Sequence, residues 1–295
     1  MASSRFSPAS SFTRRRFLTA GVAGAAGLAL YSGEIARHLI DTTHPEIALP
    51  NLPASFDGFR IVQVSDIHLE QYTEPFFLRA TVEHINRLRP DAVFLTGDLV
   101  THEFLPRSLS IHAAWKGARI LGGLECKQRY AVLGNHDVIV NAPAIAEALT
   151  SSGMTVLRNS CTPLERGSGR IWLAGLDDCL EGRPNIEGAL PDFLRERDDE
   201  PVLLLCHEPD YADTLLAHPA GRSVALMLSG HTHGGQIRIP LLKPVNLPDL
   251  GKKYVEGLFR LDNLQLYVNR GIGTVGVPFR LNCPPEITVI TLRKA

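Results

Sequence analysis

Arg60-Ile-Val-Gln-Val-Ser-Asp66-Ile-His68, then Thr73 to Leu88, then Ala92-Val-Phe-Leu-Thr-Gly-Asp98: this stretch sets the fold class. Its two short apolar runs contain β-branched residues and end abruptly in glycine or polar residues, the pattern of buried strands. Between them Leu78, Val82, Ile85 and Leu88 recur at helical spacing, with Thr73 placed to cap the helix and Pro75 in its first turn. Strand, helix and strand in succession predict a parallel pair joined by a right-handed crossover, hence an α/β fold.

Further along, three more apolar runs stop at polar clusters: Tyr130-Ala-Val-Leu-Gly-Asn135-His136-Asp137, Val202-Leu-Leu-Leu-Cys-His207, and Leu226-Met-Leu-Ser-Gly-His231-Thr-His233. In open α/β sheets, sites form beyond the carboxyl ends of strands, where loops from several strands converge. Asp66, His68, Asp98, Asn135, His207, His231 and His233 all fall there. Glycines 97, 134 and 230 each precede one of them and let the backbone turn close to its neighbours. Asp66 with His68, and His231 with His233, are two residues apart, so in an extended segment the members of each pair face the same way. One Asp-x-His alone would read as a hydrogen-bonded loop, but five clusters between residues 66 and 233 point to a metal centre. Histidines 38, 44, 84, 102, 112 and 218 lie on expected helix faces, in loops or in the linker and receive no role. Cys206 should point away from its neighbour His207, as a core thiol.

The termini and composition limit the alternatives. Thr13-Arg-Arg-Arg-Phe-Leu-Thr19 precedes a small, weakly apolar run from Ala20 to Tyr31, a basic n-region followed by a short h-region. Arg14 and Arg15 followed by Phe17 and Leu18 resemble the twin-arginine signal, which implies export of the folded chain through the twin-arginine translocase to the periplasm or the outer face of the membrane. The apolar run is short for a hydrocarbon core of about 30 Å. No clean cleavage site follows, so tethering by an uncut signal is part of the expectation. The organisation is therefore residues 1–36 as signal or anchor, 37–57 as linker, and 58–295 as one domain. Lys plus Arg (30) nearly balance Asp plus Glu (31), so no global field would gather nucleic acid. The five cysteines are scattered and odd in number, which fits buried thiols better than a disulfide framework. Pro240 to Lys253 combines apolar residues with prolines and reads as a loop covering the sheet, with a lipid-facing lip as the alternative. A hairpin turning near Asp262-Asn263 and a last strand from Ile287 to Leu292 complete the chain.

In order, the clusters read Asp-x-His, Gly-Asp, Gly-Asn-His-Asp, a lone His and Gly-His-x-His, and so resemble the calcineurin-like metallophosphoesterase superfamily over residues 58 to 293. The resemblance implies a two-sheet β-sandwich flanked by helices, four layers in all. It also implies two metal ions, one held by Asp66, His68 and His233, the other by Asn135, His207 and His231, with Asp98 shared. Leu133 before Gly134 and Asp137 in place of Glu depart from the protein serine/threonine phosphatases of that superfamily. His231-Thr-His-Gly-Gly-Gln-Ile237, Asn269-Arg-Gly-Ile-Gly-Thr274 and Pro284-Pro-Glu-Ile287 resemble the bacterial envelope branch, which includes exported phosphoesterases and UDP-2,3-diacylglucosamine hydrolase-like proteins.

Imidazoles, carboxylates and one amide, without thiolate, suit manganese, iron or zinc. A water held between two such ions, its pKa lowered toward about 7, is the expected nucleophile. His136 is the expected general acid with Asp137 orienting it, while Arg270 and Arg280 are expected to hold the rest of the substrate. The expected function is hydrolysis of a phosphate ester of the cell envelope, a lipid headgroup or wall polymer, with a diester as the expected substrate. Hydrolysis of UDP-2,3-diacylglucosamine in lipid A synthesis is the alternative, and a non-catalytic, metal-stabilised binding protein the second.

Overall fold

The computed structural model describes residues 13–103, 105–195, 200–244 and 247–295. Residues 1–12 of the expected signal and two residues of the expected covering loop, Val245 and Asn246, lie outside them. Two sheets stack face to face. The first contains β1 (Asp41–Thr43), β2 (Glu46–Leu49), β3 (Arg60–Val64), β4 (Ala92–Thr96), β5 (Gln128–Val132), β6 (Thr155–Val156) and the last strand, β13 (Glu286–Lys294). Its order is β1-β13-β3-β4-β5-β6, with β2 also on β13. The strands from β3 to β6 are parallel, and β13 runs antiparallel to β3. The second sheet contains β7 (Ser160–Arg166), β8 (Gly169–Gly175), β9 (Val202–Leu205), β10 (Val224–Ser229), β11 (Gly257–Leu261) and β12 (Leu264–Val268), in the order β11-β12-β10-β9-β8-β7.

Alternation along the strands builds the layers. In β4, Ala92 and Phe94 enter the core between the sheets, while Val93 and Leu95 face the helices. In β9, Leu203 and Leu205 point between the sheets and Val202 and Leu204 to the outer face of the second sheet. A strand that is apolar at every position is thus buried on both faces, each such side chain contributing about 1.5–3 kcal/mol. Helices α2 (Pro75–Leu88), α3 (Arg107–Leu121) and α4 (Asn135–Ser151) cover the first sheet. Short turns including Ile186–Ala189 and Ala212–Ala217 cover the second. The result is the expected α/β sandwich of two sheets flanked by helices.

Helix α2 illustrates the local rules. Pro75 occupies its first turn, where a missing N–H costs nothing. Its apolar stripe of Phe77, Leu78, Val82 and Ile85 is buried, and the chain leaves through Arg89 in the left-handed region before Pro90. The capping residue is Glu74 rather than the expected Thr73, whose side chain is buried.

The expectation of a linker over 37–57 does not hold. Residues 41–49 form β1 and β2, which pair in parallel with β13. Both strands are short and partly polar, as edge strands are, and so escape an apolar-run criterion. The segment before them is also built in. Ser32, Gly33 and Ala36 are buried, Ser32 O accepts from Arg280 N at 3.1 Å, and Arg37 pairs with Glu74 at 2.5 Å. Only the preceding helix, α1 (Arg14–Leu30), is exposed along its whole length. Among the described residues no helix is long and apolar enough to cross a membrane.

Candidate metal centre

The carboxyl ends of β3, β4, β5, β9 and β10 meet at one edge of the sandwich. Gln63, buried between the sheets, donates to Thr96 Oγ1 (3.1 Å) and to Ser229 O (2.9 Å), tying β3, β4 and β10 together just below that edge. All seven metal-competent residues named above gather here. One ligand atom each from Asp66, His68 and His233 lies within 4.8 Å of the others, and the same holds for Asp98, His207 and His231. Asp98 touches both groups. Its Oδ2 lies 3.1 Å from His207 Nε2 and 3.7 Å from His68 Nε2, while Oδ1 accepts the His136 N–H at 3.0 Å.

The local backbone is unusual. Asp66, His68, Asp98, His231 and His233 all have positive φ, between 47° and 71°, a region that side-chain-bearing residues rarely occupy. The expectation that each pair lies on an extended segment is therefore corrected: the chain coils at these points and brings the ligand atoms together by turning. Gly97, with φ +102°, is the turn before Asp98.

The rings are held by their other nitrogens. His68 Nδ1 meets Thr101 Oγ1 at 2.9 Å, His207 Nδ1 donates to Thr96 O at 2.6 Å, and His231 Nε2 donates to Asp249 O at 2.8 Å. Such bonds fix ring orientation and leave the opposite nitrogen for a cation. Burial, with the neighbouring charge of His136, Arg280 or His207, holds His68, His233 and His231 below the ordinary imidazole range. Their lone pairs are then free. For His207 burial acts in the same sense, but the Asp98 charge and hydrogen bond outweigh it and raise that imidazole.

The donor set fits metal on its own terms. His68 Nε2 and His233 Nε2 face each other at 3.0 Å, and the buried Asn135 Oδ1 has no hydrogen-bond partner. Cations, one at the facing imidazoles and one at the amide oxygen, would give these atoms the partner that the protein does not.

His136 is bounded by His68, whose ring lies 4.8 Å away, and by His102 at 4.4 Å. Its Nδ1 accepts the His102 backbone N–H (3.3 Å) and lies 2.8 Å from His102 Nδ1, so the proton of neutral His136 resides on Nε2. His102 lacked any role in the sequence reading. Its position four residues past Asp98, in the loop leaving β4, was the available signal.

Three expectations are corrected. Asp137 does not orient His136: its carboxylate accepts the backbone N–H groups of Leu99, Val100 and Gly134, each at 3.2 Å, and ties the loops after β4 and β5 together. Burial and the Asp98 charge push it up to about 7. Arg280 is fully buried and donates to the carbonyls of Arg270, Gly271, Gly273 and Cys283, so none of its guanidinium is left for substrate. Arg270 is taken by Glu286 at 3.0 Å and Asp41 at 2.7 Å.

Above the centre is a cavity of about 500 Å³. Asp98, Asn135, His136, His231 and His233 line its floor, with His102 and Glu103 at one side. The more exposed part of its lining, the rim, includes the apolar Ile237, Ile239, Pro248, Val275 and Val277.

Residues 59–235 match the calcineurin-like phosphoesterase family. The chain belongs to the calcineurin-like metallophosphoesterases. Among relatives, it is 38% identical over 291 residues to the uncharacterized metallophosphoesterase YkuE of Bacillus subtilis, covering 95% of this chain and 98% of that one. It is 32% identical over 287 residues to the phosphodiesterase YaeI of Escherichia coli, covering 95% and 99%. A dimetal phosphatase from Danio rerio, 14% identical, superposes with a TM-score of 0.51 over 80% of this chain and 99% of that one, a likeness of fold alone. As a calcineurin-like metallophosphoesterase, the protein is a metal-dependent phosphoester hydrolase of a family that depends on two metals.

Proposed function

We propose that the protein hydrolyses a phosphodiester carried by an amphiphile of the cell envelope. The observation that carries this reading is the two-sided cavity: a floor of converging metal donors under an apolar rim. In this reading Asp66, His68 and His233 hold one ion, Asn135, His207 and His231 the other, and Asp98 both, the ions being manganese, iron or zinc. When bound, they supply positive charge for phosphoryl oxygens and acidify water. As imidazolium, with its Nδ1–H donated to His102 Nδ1, His136 supplies its Nε2 proton to the departing alkoxide and is left neutral. His102 holds the ring from Nδ1. The apolar rim takes the aliphatic or other apolar part of the ester and excludes water beside the reacting phosphate.

The N-terminal segment supports an address outside the cytoplasm. Arg14 and Arg15 open the exposed helix α1, whose Phe17, Leu18, Val22, Leu28 and Leu30 are exposed. Gly33, three residues past its end, lies against Phe279, which follows the segment whose Val275 and Val277 are at the rim. Leu241, Leu242 and Ile239 are exposed on the same loop system. Export by the twin-arginine route, with α1 retained at the membrane surface and the cavity mouth beside it, accounts for this grouping.

The test is hydrolysis of bis-p-nitrophenyl phosphate, p-nitrophenyl phosphate, envelope phospholipids and UDP-2,3-diacylglucosamine by the protein loaded with Mn²⁺, Fe²⁺ or Zn²⁺. Metal-dependent turnover favouring diesters is expected, with His136→Asn lowering kcat by about 10²–10⁴ at unchanged metal content. Ile239→Ser with Val277→Ser should raise KM for the amphiphile alone. Absence of metal-dependent turnover on every substrate refutes the reading. Cytoplasmic retention of a reporter fused behind residues 1–45, with no effect of Arg14→Lys and Arg15→Lys, refutes the address.

A further inference from the structure

We propose that a second metal site, separate from the hydrolytic centre, is formed by Cys179, Cys206 and Glu208, and that it takes one zinc-class divalent cation. Asp178 and Cys179 stand in the loop after β8, and Cys206 and Glu208 at the end of β9, on either side of His207. Cys206 packs in the core on the outer face of the second sheet, away from the Asp98 group.

The geometry is that of a ligand set. Cys179 Sγ and Cys206 Sγ lie 3.6 Å apart. One ligand atom from each of Cys179, Cys206 and Glu208 falls within 4.8 Å of the other two. Two Zn–S bonds of about 2.3 Å at a tetrahedral angle place their sulfurs about 3.8 Å apart, whereas a disulfide would bring them to about 2.05 Å.

The carboxylates point the same way. Glu208 and Asp178 are both buried, and Glu208 Oε1 and Asp178 Oδ2 have no hydrogen-bond partner. Their other oxygens are used: Glu208 Oε2 accepts Cys179 N–H at 3.1 Å, and Asp178 Oδ1 accepts the N–H groups of Leu180 and Glu181 at 3.1 and 2.6 Å. Among the described residues, no lysine or arginine forms a salt bridge with either. A buried carboxylate oxygen that accepts no bond is costly when ionised without a cation, and the two adjacent sulfurs are soft donors to one. A mixed sulfur and oxygen set that is largely withdrawn from water suits a structural Zn²⁺. Bound there, it would pin the β8 loop to the residues that flank His207.

Cobalt substitution of the full-length protein tests this. Nitrogen and oxygen ligands at the hydrolytic centre cannot produce thiolate-to-cobalt charge transfer, so a near-ultraviolet band of that kind reports this site alone. We expect the band in the wild type, its loss in Cys179→Ala, and its retention in Asp98→Ala, which removes hydrolysis. Metal analysis should find one ion fewer per chain in Cys179→Ala than in the wild type. Absence of the band with all five thiols titratable after denaturation would overturn the site, leaving two acids that share a proton beside two packed thiols. Absence of the band with only three titratable thiols would overturn it in favour of a Cys179–Cys206 disulfide. Failure here would leave the proposed hydrolysis untouched, because the Asp98→Ala arm separates the two.

Discussion

Gly134→Ala tests the centre at the scale of single atoms. Gly134 has an ordinary φ of −105°, so alanine there does not strain the backbone and its effect comes from one methyl group. That carbon would stand 2.3 Å from Asp98 Oδ1 and 2.7 Å from both Asp98 Cγ and His207 Nε2. Non-bonded contacts relax to about 3.5 Å, so the Asp98 carboxylate, His207 or the β5 loop must retreat by about 1 Å. Asp98 has little room, because Oδ1 already holds His136 N–H at 3.0 Å and Oδ2 lies 3.1 Å from His207. Overpacking of this kind costs about 1–3 kcal/mol of stability. A misplacement of about 1 Å at reacting groups costs about 10²-fold in rate, or about 2.7 kcal/mol. The assay is kcat/KM on bis-p-nitrophenyl phosphate, with metal content and the melting curve measured on the same preparation. Gly24→Ala, on the exposed α1 with no atom within 4 Å, is the control and should change neither activity nor metal. If Gly134→Ala keeps both its metal and its rate to within about threefold, the placement of Asp98 and His207 as ligands is wrong.

Two further outcomes follow from the corrected arginines and their partner. Arg280→Met leaves four backbone carbonyls without their donor, and should cost about 3–5 kcal/mol in urea unfolding with KM unchanged for the folded enzyme. A raised KM at unchanged stability would restore Arg280 to substrate binding. Burial disfavours the charge on Glu286, but Arg270 and the hydroxyls of Thr43 and Tyr267 outweigh it and hold the carboxyl below its ordinary 4.5. A group depressed in the folded state stabilises above its unfolded value and loses that contribution as pH falls through the folded one. The wild-type melting temperature should therefore fall on acidification below about pH 4.5, and Glu286→Gln should flatten that part of the curve; parallel curves would contradict the assignment.

Much of this was legible before any coordinates. Apolar runs ending in glycine and polar residues mark β3, β4, β5, β9 and β10 because strands buried on both faces carry no alternation to disguise them. The order of the clusters supplies the seven donors, and the resemblance supplies their division between two ions. What escaped notice depends on contacts across the fold. β1 and β2 are too short and polar to stand out, and β13 alone makes them strands. His102 has no motif and gains meaning only from lying 2.8 Å from His136. Arg280 in a glycine-rich stretch resembles a substrate clamp until the surrounding carbonyls are seen. Asp137, next to His136 in sequence, points instead to three backbone amides. The left-handed turns at Asp66 and His231 defeat the period-two argument, which holds only for extended chain.

The position of β13 bears on the order in which the molecule can be assembled. This strand pairs with β1, β2 and β3, and Glu286 near its start takes the Thr43 hydroxyl across 243 residues of sequence. A ribosome that has released His233 has already made every residue of the hydrolytic centre, yet β3, which leads into Asp66, still has a bare edge. That edge is a template for mispairing until residues 286–294 emerge to cover it. The centre is written early in the chain and framed last. If the chain crosses a membrane already folded, as proposed above, competence for passage arrives only with its final strand.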